Sequence, residues 1–331
     1  MNSPALDVKN LSVWLDTDPG TRPDTSKGQV KVVDSVSFSI DSGQTQGLVG
    51  ESGCGKTMTA LAILGLLRGY NTRVESDGIK INGRDISALS SRQRRAVLGR
   101  DIAMIFQQPG TALDPVFTIG QQLQAVFRRH MGNSKTHARR TVLDTLEMVG
   151  FNNPRETASV YPHQLSGGMR QLAMIAMAMV CKPAVILADE PTTALDASTR
   201  IMILKQLKTL QDAHNTAILL VSHDLSIVRQ FCNRVMVMYC GRIVEKSESP
   251  TLFATARHPY SAGLLACIPK IDSGRSHRIK AIPGQVPSLA ELPAGCHFAP
   301  RCERAEARCC VSVPMLDAET DSSAACFNPL S

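Results

Sequence analysis

The sequence predicts an α/β protein organised on a mostly parallel sheet with helices on both faces. Three observations predict it. First, Gly50-Glu51-Ser52-Gly53-Cys54-Gly55-Lys56-Thr57 reads G-x-x-x-x-G-K-T between a short apolar run, Gln46 to Val49, and a helix-compatible run, Thr59 to Leu67. Second, the apolar runs Ala184 to Ala188, Ala217 to Val221 and Val235 to Tyr239 are separated by helical spacing, the pattern of strand and helix in alternation. Third, the first of these runs continues into Asp189-Glu190, two carboxylates at the end of a buried strand.

In chain order, Leu6 to Val13 alternates apolar and polar residues and reads as an edge strand. Thr17 to Gly28 is rich in Pro, Gly, Asp and Thr and reads as a loop. Val30 to Ile40 alternates again and turns at Asp41-Ser42-Gly43. The glycine loop follows. Its backbone N–H groups can wrap an anion, a helix starting near Lys56 adds the positive end of its dipole, Lys56 can reach β- and γ-phosphates, and Thr57, followed by Met58, offers a hydroxyl to Mg²⁺. Gly78 to Gly83 reads as a hairpin with its turn at Asn82-Gly83, and Ile102 to Phe106 as a strand stopping at Gln107. From Ile119 to Gly150 the spacing is helical, sufficiently explained by core packing. A further helix follows Ser166, and its methionines, Met169 to Met179, read as core filler. A helix over Ala197 to Ala213 joins two of the buried strands. Beyond a boundary near Pro250 to Pro259, prolines at 283, 287 and 293 break up regular structure, so residues 251–331 read as a small separate module after a main domain of residues 1–250.

The totals bound the function. The 331 residues, 43% apolar and 20% charged, suffice for a packed core. A net charge of +7 permits contact with an anionic surface without arguing for nucleic acid. No leader with an apolar core is visible at Met1-Asn2-Ser3-Pro4, and the longest apolar run, Leu172 to Cys181, is too short to span a bilayer, so a cytosolic protein is expected. Five of the ten cysteines lie from Cys296 onward, a clustering that suggests a metal or cluster site.

Asp189 is suited to hold Mg²⁺ and Glu190 to polarise an attacking water. Leu165-Ser166-Gly167-Gly168-Met169-Arg170-Gln171 places a serine and two glycines ahead of a helix, which serves as an N-cap or as a second anion-binding terminus. With the phosphate loop before it and the acidic strand after it, this stretch resembles the signature of ATP-binding cassette (ABC) ATPases, from about Leu6 to Glu248. Gln107 resembles the family's Q-loop glutamine, Ala194-Leu195-Asp196 its D-loop, and His223 its switch histidine. The resemblance implies a phosphate-loop core with antiparallel β and α-helical subdomains, the helical one at about residues 107–180. It also implies a head-to-tail dimer in which Lys56, Thr57, Gln107, Asp189, Glu190 and His223 act in cis, with Gln107 joining Thr57 and Asp189 at Mg²⁺. Ser166, Gly167, Gly168 and Asp196 act on the partner's ATP. The family stacks adenine on an aromatic near the first strand; Trp14 is in that neighbourhood, and Leu15 is the other occupant of the expected place.

The tail narrows the resemblance. His258-Pro259-Tyr260, Ile282-Pro283-Gly284-Gln285 and Cys296-His297-Phe298-Ala299-Pro300-Arg301-Cys302 are similar to the C-terminal extension of oligopeptide/dipeptide permease ATPase subunits. In that group the tail cysteines resemble ligands of a [4Fe–4S] cluster, which implies Cys296, Cys302, Cys309 and Cys326, with Cys310 an alternative to Cys309. A Cys₄ zinc site and unliganded thiols are the rival readings. The resemblance further implies a peripheral subunit on the cytoplasmic face of the inner membrane. Its partners would be two transmembrane permease subunits, a second, unlike ATPase and, indirectly, an extracytoplasmic solute-binding protein. Peptides are the expected cargo, with nickel chelates, antimicrobial peptides and other small solutes as alternatives. A mechanical ATPase on DNA or ribosomes is the competing class; no coiled coil or second cassette is present to support it.

Overall fold

The computed structural model describes residues 3–16, 28–67, 71–132, 134–193, 195–268, 281–317, 320 and 322–331. Most of the loop expected over Thr17 to Gly28, and Ala194 of the expected D-loop, lie outside the described residues.

The strands and helices read from the sequence are present with further short elements between them. Strands β1 (Leu6–Asp16), β2 (Gln29–Ile40) and β3 (Thr45–Val49) lead into helix α1 (Lys56–Leu64). Then come β4 (Thr72–Glu75), β5 (Gly78–Ile81), β6 (Arg84–Asp85), α2 (Ser91–Val97) and β7 (Ile102–Ile105). A helical stretch follows: α3 (Pro109–Ala112), α4 (Ile119–Met131), α5 (Lys135–Met148), α6 (Pro154–Ser159) and α7 (Gly167–Met179). The chain continues through β8 (Val185–Asp189), α8 (Ala197–His214), β9 (Ala217–Val221), α9 (Leu225–Phe231), β10 (Arg234–Tyr239) and β11 (Arg242–Glu248). It ends with α10 (Ser249–Ala254), α11 (Pro259–Ala266), α12 (Ala307–Val311) and β12 (Ser323–Ala324). Strand β1, expected at an edge, pairs with β2, β4 and β5 instead.

The chain divides into two compact units. One comprises residues 1–7, 39–45 and 80–220. Here β7 and β8 run parallel in the register Ile102↔Val185 to Ile105↔Ala188, with β9 beside β8. All five residues of β8 and of β9 are buried, as expected of strands covered on both faces. Helix α4 packs on α5, α6 and α7. Its N-terminus is set by a reciprocal capping box between Thr118 and Gln121. The Met-rich helix splits: Met174 and Met179 are core, whereas Met169, in the first turn, is exposed.

The other unit comprises residues 8–38, 46–79 and 221–331. Strand β10 runs parallel to β3, and β11 pairs antiparallel with β10. The tail then returns to the sheet: β12 pairs with the far edge of β11, Glu245↔Ala324 and Lys246↔Ser323. Strands β4, β11 and β12 were not legible in the sequence. The run expected to be helical through Leu67 stops at Leu64, because Gly65 takes φ 67° and its N–H turns back to the carbonyls of Ala62 and Leu61.

Candidate functional site

The phosphate loop lies between β3 and α1, as its motif requires. Two of its glycines are demanded by close backbone approach. A Cβ on Gly50 (φ 155°) would sit 2.2 Å from the Met238 carbonyl oxygen, and one on Gly55 (φ 109°) 2.6 Å from that of Val32. Lys56 is buried, and its Nζ donates to the carbonyls of Gly50 (2.8 Å) and Glu51 (2.9 Å). Ser52, Gly53 and Thr57 are exposed. Met58 is half-buried on the first turn of α1. Cys54 is buried against Lys56, and burial pushes its thiol pKa up. Trp14 lies on β1 opposite Arg73, and both the Arg73 guanidinium and the Lys31 ammonium sit 5.0 Å from its ring centroid. His223 is exposed in the turn after β9. That turn is pinned by Ser222, whose N–H donates to the Leu48 carbonyl and whose Oγ accepts from the Asp224 N–H, and Asp224 caps α9.

The other unit carries the acids. Asp189 ends β8 and is buried. Glu190 follows at φ 45°, a left-handed conformation unusual for a side chain with a Cβ. Its Oε2 accepts from Gln107 Nε2 (3.0 Å) and from Thr193 Oγ1 (2.9 Å). The structure therefore joins the Q-loop glutamine to the glutamate 83 residues away. It adds Thr193, which the sequence reading missed; the hydroxyl pair Thr192-Thr193 after the acids was the available signal.

The signature turn faces solvent. Ser166 caps α7, its Oγ accepting from the Met169 N–H, and Ser166 and Gly167 are exposed. Both readings of Ser166, cap and exposed helix terminus, describe the same residue. Gly168 has a packing reason of its own: a Cβ there would stand 2.7 Å from Thr199 Cγ2 on α8. Asp196 caps α8 by accepting from the N–H groups of Ser198 and Thr199, and these hydrogen bonds, with the Ser198 hydroxyl, hold its carboxyl well below the usual range.

In the tail, Cys296, Cys302, Cys309 and Cys326 line one small cavity of about 10 Å³. Cys309 is buried, whereas Cys310 is exposed and not part of the lining. Burial raises the thiol pKa of Cys296, Cys302 and Cys326. The convergence is real, but the cluster and zinc expectations gain no support from the spacing. Among the described residues, no group of three or more His, Cys, Asp or Glu is disposed to hold a metal ion, and the cavity is the size of one water.

The ABC transporter family is matched over residues 33–193, and the C-terminal region of oligopeptide/dipeptide transporters over residues 244–309. The oligopeptide transport ATP-binding protein AppD of Bacillus subtilis is 41% identical over 314 residues, covering 95% of this chain and 93% of that one. The chain belongs to the ATP-binding subunits of oligopeptide/dipeptide-type ABC transporters. As a member of that family it is an ABC ATPase, for which ATP and Mg²⁺ are the expected ligands. The dipeptide transport ATP-binding protein DppD of Escherichia coli is 40% identical over 301 residues, covering 91% of each chain. Among solved structures, the dimeric cassette MJ0796 bound to ADP and Pi matches with a TM-score of 0.62 at 26% identity, covering 74% of this chain and 98% of that one. Among the described residues, no helix is long and apolar enough to cross a membrane.

Proposed function

We propose that this chain powers a membrane importer of peptides by binding and hydrolysing ATP. The observation that carries the reading is the tail: residues 244–309 match a region particular to oligopeptide/dipeptide transporters, beyond the cassette common to all ABC proteins. Residues 1–250 would form the nucleotide-binding domain, with α3 to α7 as its helical subdomain, and residues 251–331 its extension.

In this reading the N–H groups of the phosphate loop and Lys56 Nζ hold the β- and γ-phosphates. Thr57, Gln107 and Asp189 are the residues that would hold Mg²⁺, whose chemistry would be to offset charge on the phosphoryl group. Glu190, steadied by Gln107 and Thr193, takes the proton of the attacking water. His223 senses the γ-phosphate, and Trp14 offers its face to adenine in place of one of its two cations. Ser166, Gly167, Gly168 and Asp196 serve the ATP of a second cassette. The exposure of Ser166, Gly167 and Asp196 supports a role across an interface. Transmembrane permease subunits, a second and unlike ATPase, and a solute-binding protein outside would complete the system, placing this chain peripherally on the cytoplasmic face of the inner membrane. A pull-down of the tagged chain from detergent-solubilised membranes tests this. Two polytopic subunits and a second cassette are expected; a chain recovered on DNA or ribosomes without membrane partners overturns the reading.

The tail cysteines would hold a [4Fe–4S] cluster after the four side chains move apart to admit it, with Cys309 rather than Cys310 as the third ligand because it shares the cavity. Anaerobically purified protein is expected to be brown and to contain iron and acid-labile sulfide at about four each per chain. Colourless protein with stoichiometric zinc overturns the cluster in favour of a Cys₄ zinc site.

A further inference from the structure

The second residue of the phosphate loop is an acid, and it is held by the tail. Glu51 accepts a forked pair of hydrogen bonds from Arg301, Nη1 to Oε2 at 2.8 Å and Nη2 to Oε1 at 3.1 Å. The Arg301 side chain is only 4% exposed, and the Glu51 side chain 28%. The guanidinium is fixed from behind: its Nε donates to the Pro283 carbonyl at 2.9 Å, and it sits 5.8 Å and 5.9 Å from the ring centroids of Tyr239 and Phe298. A second contact grips the same residue. The Glu51 N–H donates to the Tyr260 hydroxyl at 2.9 Å, and Tyr260 is itself fully buried, its ring 4.5 Å from that of Tyr239.

We infer that Arg301 is a positioning residue for ATP binding: it neutralises the Glu51 carboxylate and, with Tyr260, holds the first turn of the phosphate loop in its anion-receiving form. This rests on the ATPase reading above. A carboxylate on a loop that wraps a polyphosphate opposes binding unless a cation offsets it. A bidentate pair made by a buried guanidinium is strong enough to set geometry as well as charge. Removing one partner of such a pair leaves the other charge uncompensated, whereas removing both charges does not. That asymmetry gives the inference a readout that loss of tail packing alone would not produce.

The test uses the full chain in its membrane complex. Arg301→Met is expected to raise the KM for ATP about tenfold with kcat within about twofold, because the defect is in ground-state binding. Adding Glu51→Gln to Arg301→Met is expected to return the KM to within about threefold of the original, by removing the charge left behind. Tyr260→Phe, which keeps the ring packing and deletes the acceptor, is expected to raise the KM about threefold, and it stands as the independent variant if Arg301→Met fails to assemble. An unchanged KM in Arg301→Met or, where that variant does not assemble, in Tyr260→Phe overturns the inference. So does an equal defect in the single and double Arg301 variants, which would mean damage to the tail. A wild-type complex without ATPase activity removes the parent reading instead, and the inference with it.

Discussion

Glu190→Gln is expected to bind ATP within about threefold of the wild-type affinity and to hydrolyse it about two to four orders of magnitude more slowly, the range that general-base removal commonly costs. The structure gives the reason for both halves. Glu190 Oε2 accepts from Gln107 Nε2 and Thr193 Oγ1, and a glutamine carbonyl can accept the same two hydrogen bonds, so the turn after β8 keeps its form. What the amide lacks is a basic oxygen. The backbone at Glu190 is already in the left-handed region, and glutamine meets the same constraint as glutamate, so no new strain enters. Phosphate release at saturating ATP measures the chemistry, and fluorescent-nucleotide titration measures the binding. Undiminished phosphate release would remove Glu190 as the base.

Lys56→Ala is expected to weaken ATP binding at least a hundredfold, about 2.7 kcal/mol. The side chain is buried in its own loop, with Nζ between the carbonyls of Gly50 and Glu51. Its loss removes the cation proposed to face the phosphates and takes one donor each from the Gly50 and Glu51 carbonyls, of which the second still accepts from the Cys54 N–H. Titration of the full chain with a fluorescent nucleotide reads the change, and thermal unfolding without nucleotide separates it from loss of fold. Binding within threefold of the unaltered chain would contradict the role given to Lys56.

Much of the candidate site was legible because its motifs are local. The glycine loop, the acid pair and the signature turn are each contained in eight residues or fewer, and backbone chemistry ties each to a strand end or helix start. The Asn82-Gly83 turn was legible for the same reason: both residues take positive φ, 48° and 79°, as a two-residue hairpin demands. The illegible parts are those set by distant partners. Strand β12 is two residues long and exists only because β11 is there to pair with it. Strand β11 (Arg-Ile-Val-Glu-Lys-Ser-Glu) mixes charge into its core pattern, because Glu245 is buried to accept from the N–H groups of Arg257 and His258. Cys309 is buried and Cys310 exposed, a difference that adjacency in sequence cannot express. Arg301 and Glu51 are 250 residues apart, and neither belongs to a pattern that names the other.

The return of the tail to the sheet also bears on how the chain behaves on its own. Strand β11 without β12 would present a row of unpaired N–H and C=O groups, the kind of edge on which neighbouring molecules build extended stacks. Ser323 and Ala324 pair with Lys246 and Glu245 on that edge, the Ala325 N–H donates to the Val244 carbonyl at 2.8 Å, and the hydroxyls of Ser247 and Ser322 are 3.2 Å apart. Residues 323–325 thus cover part of an edge that would otherwise offer bare backbone to a neighbouring strand.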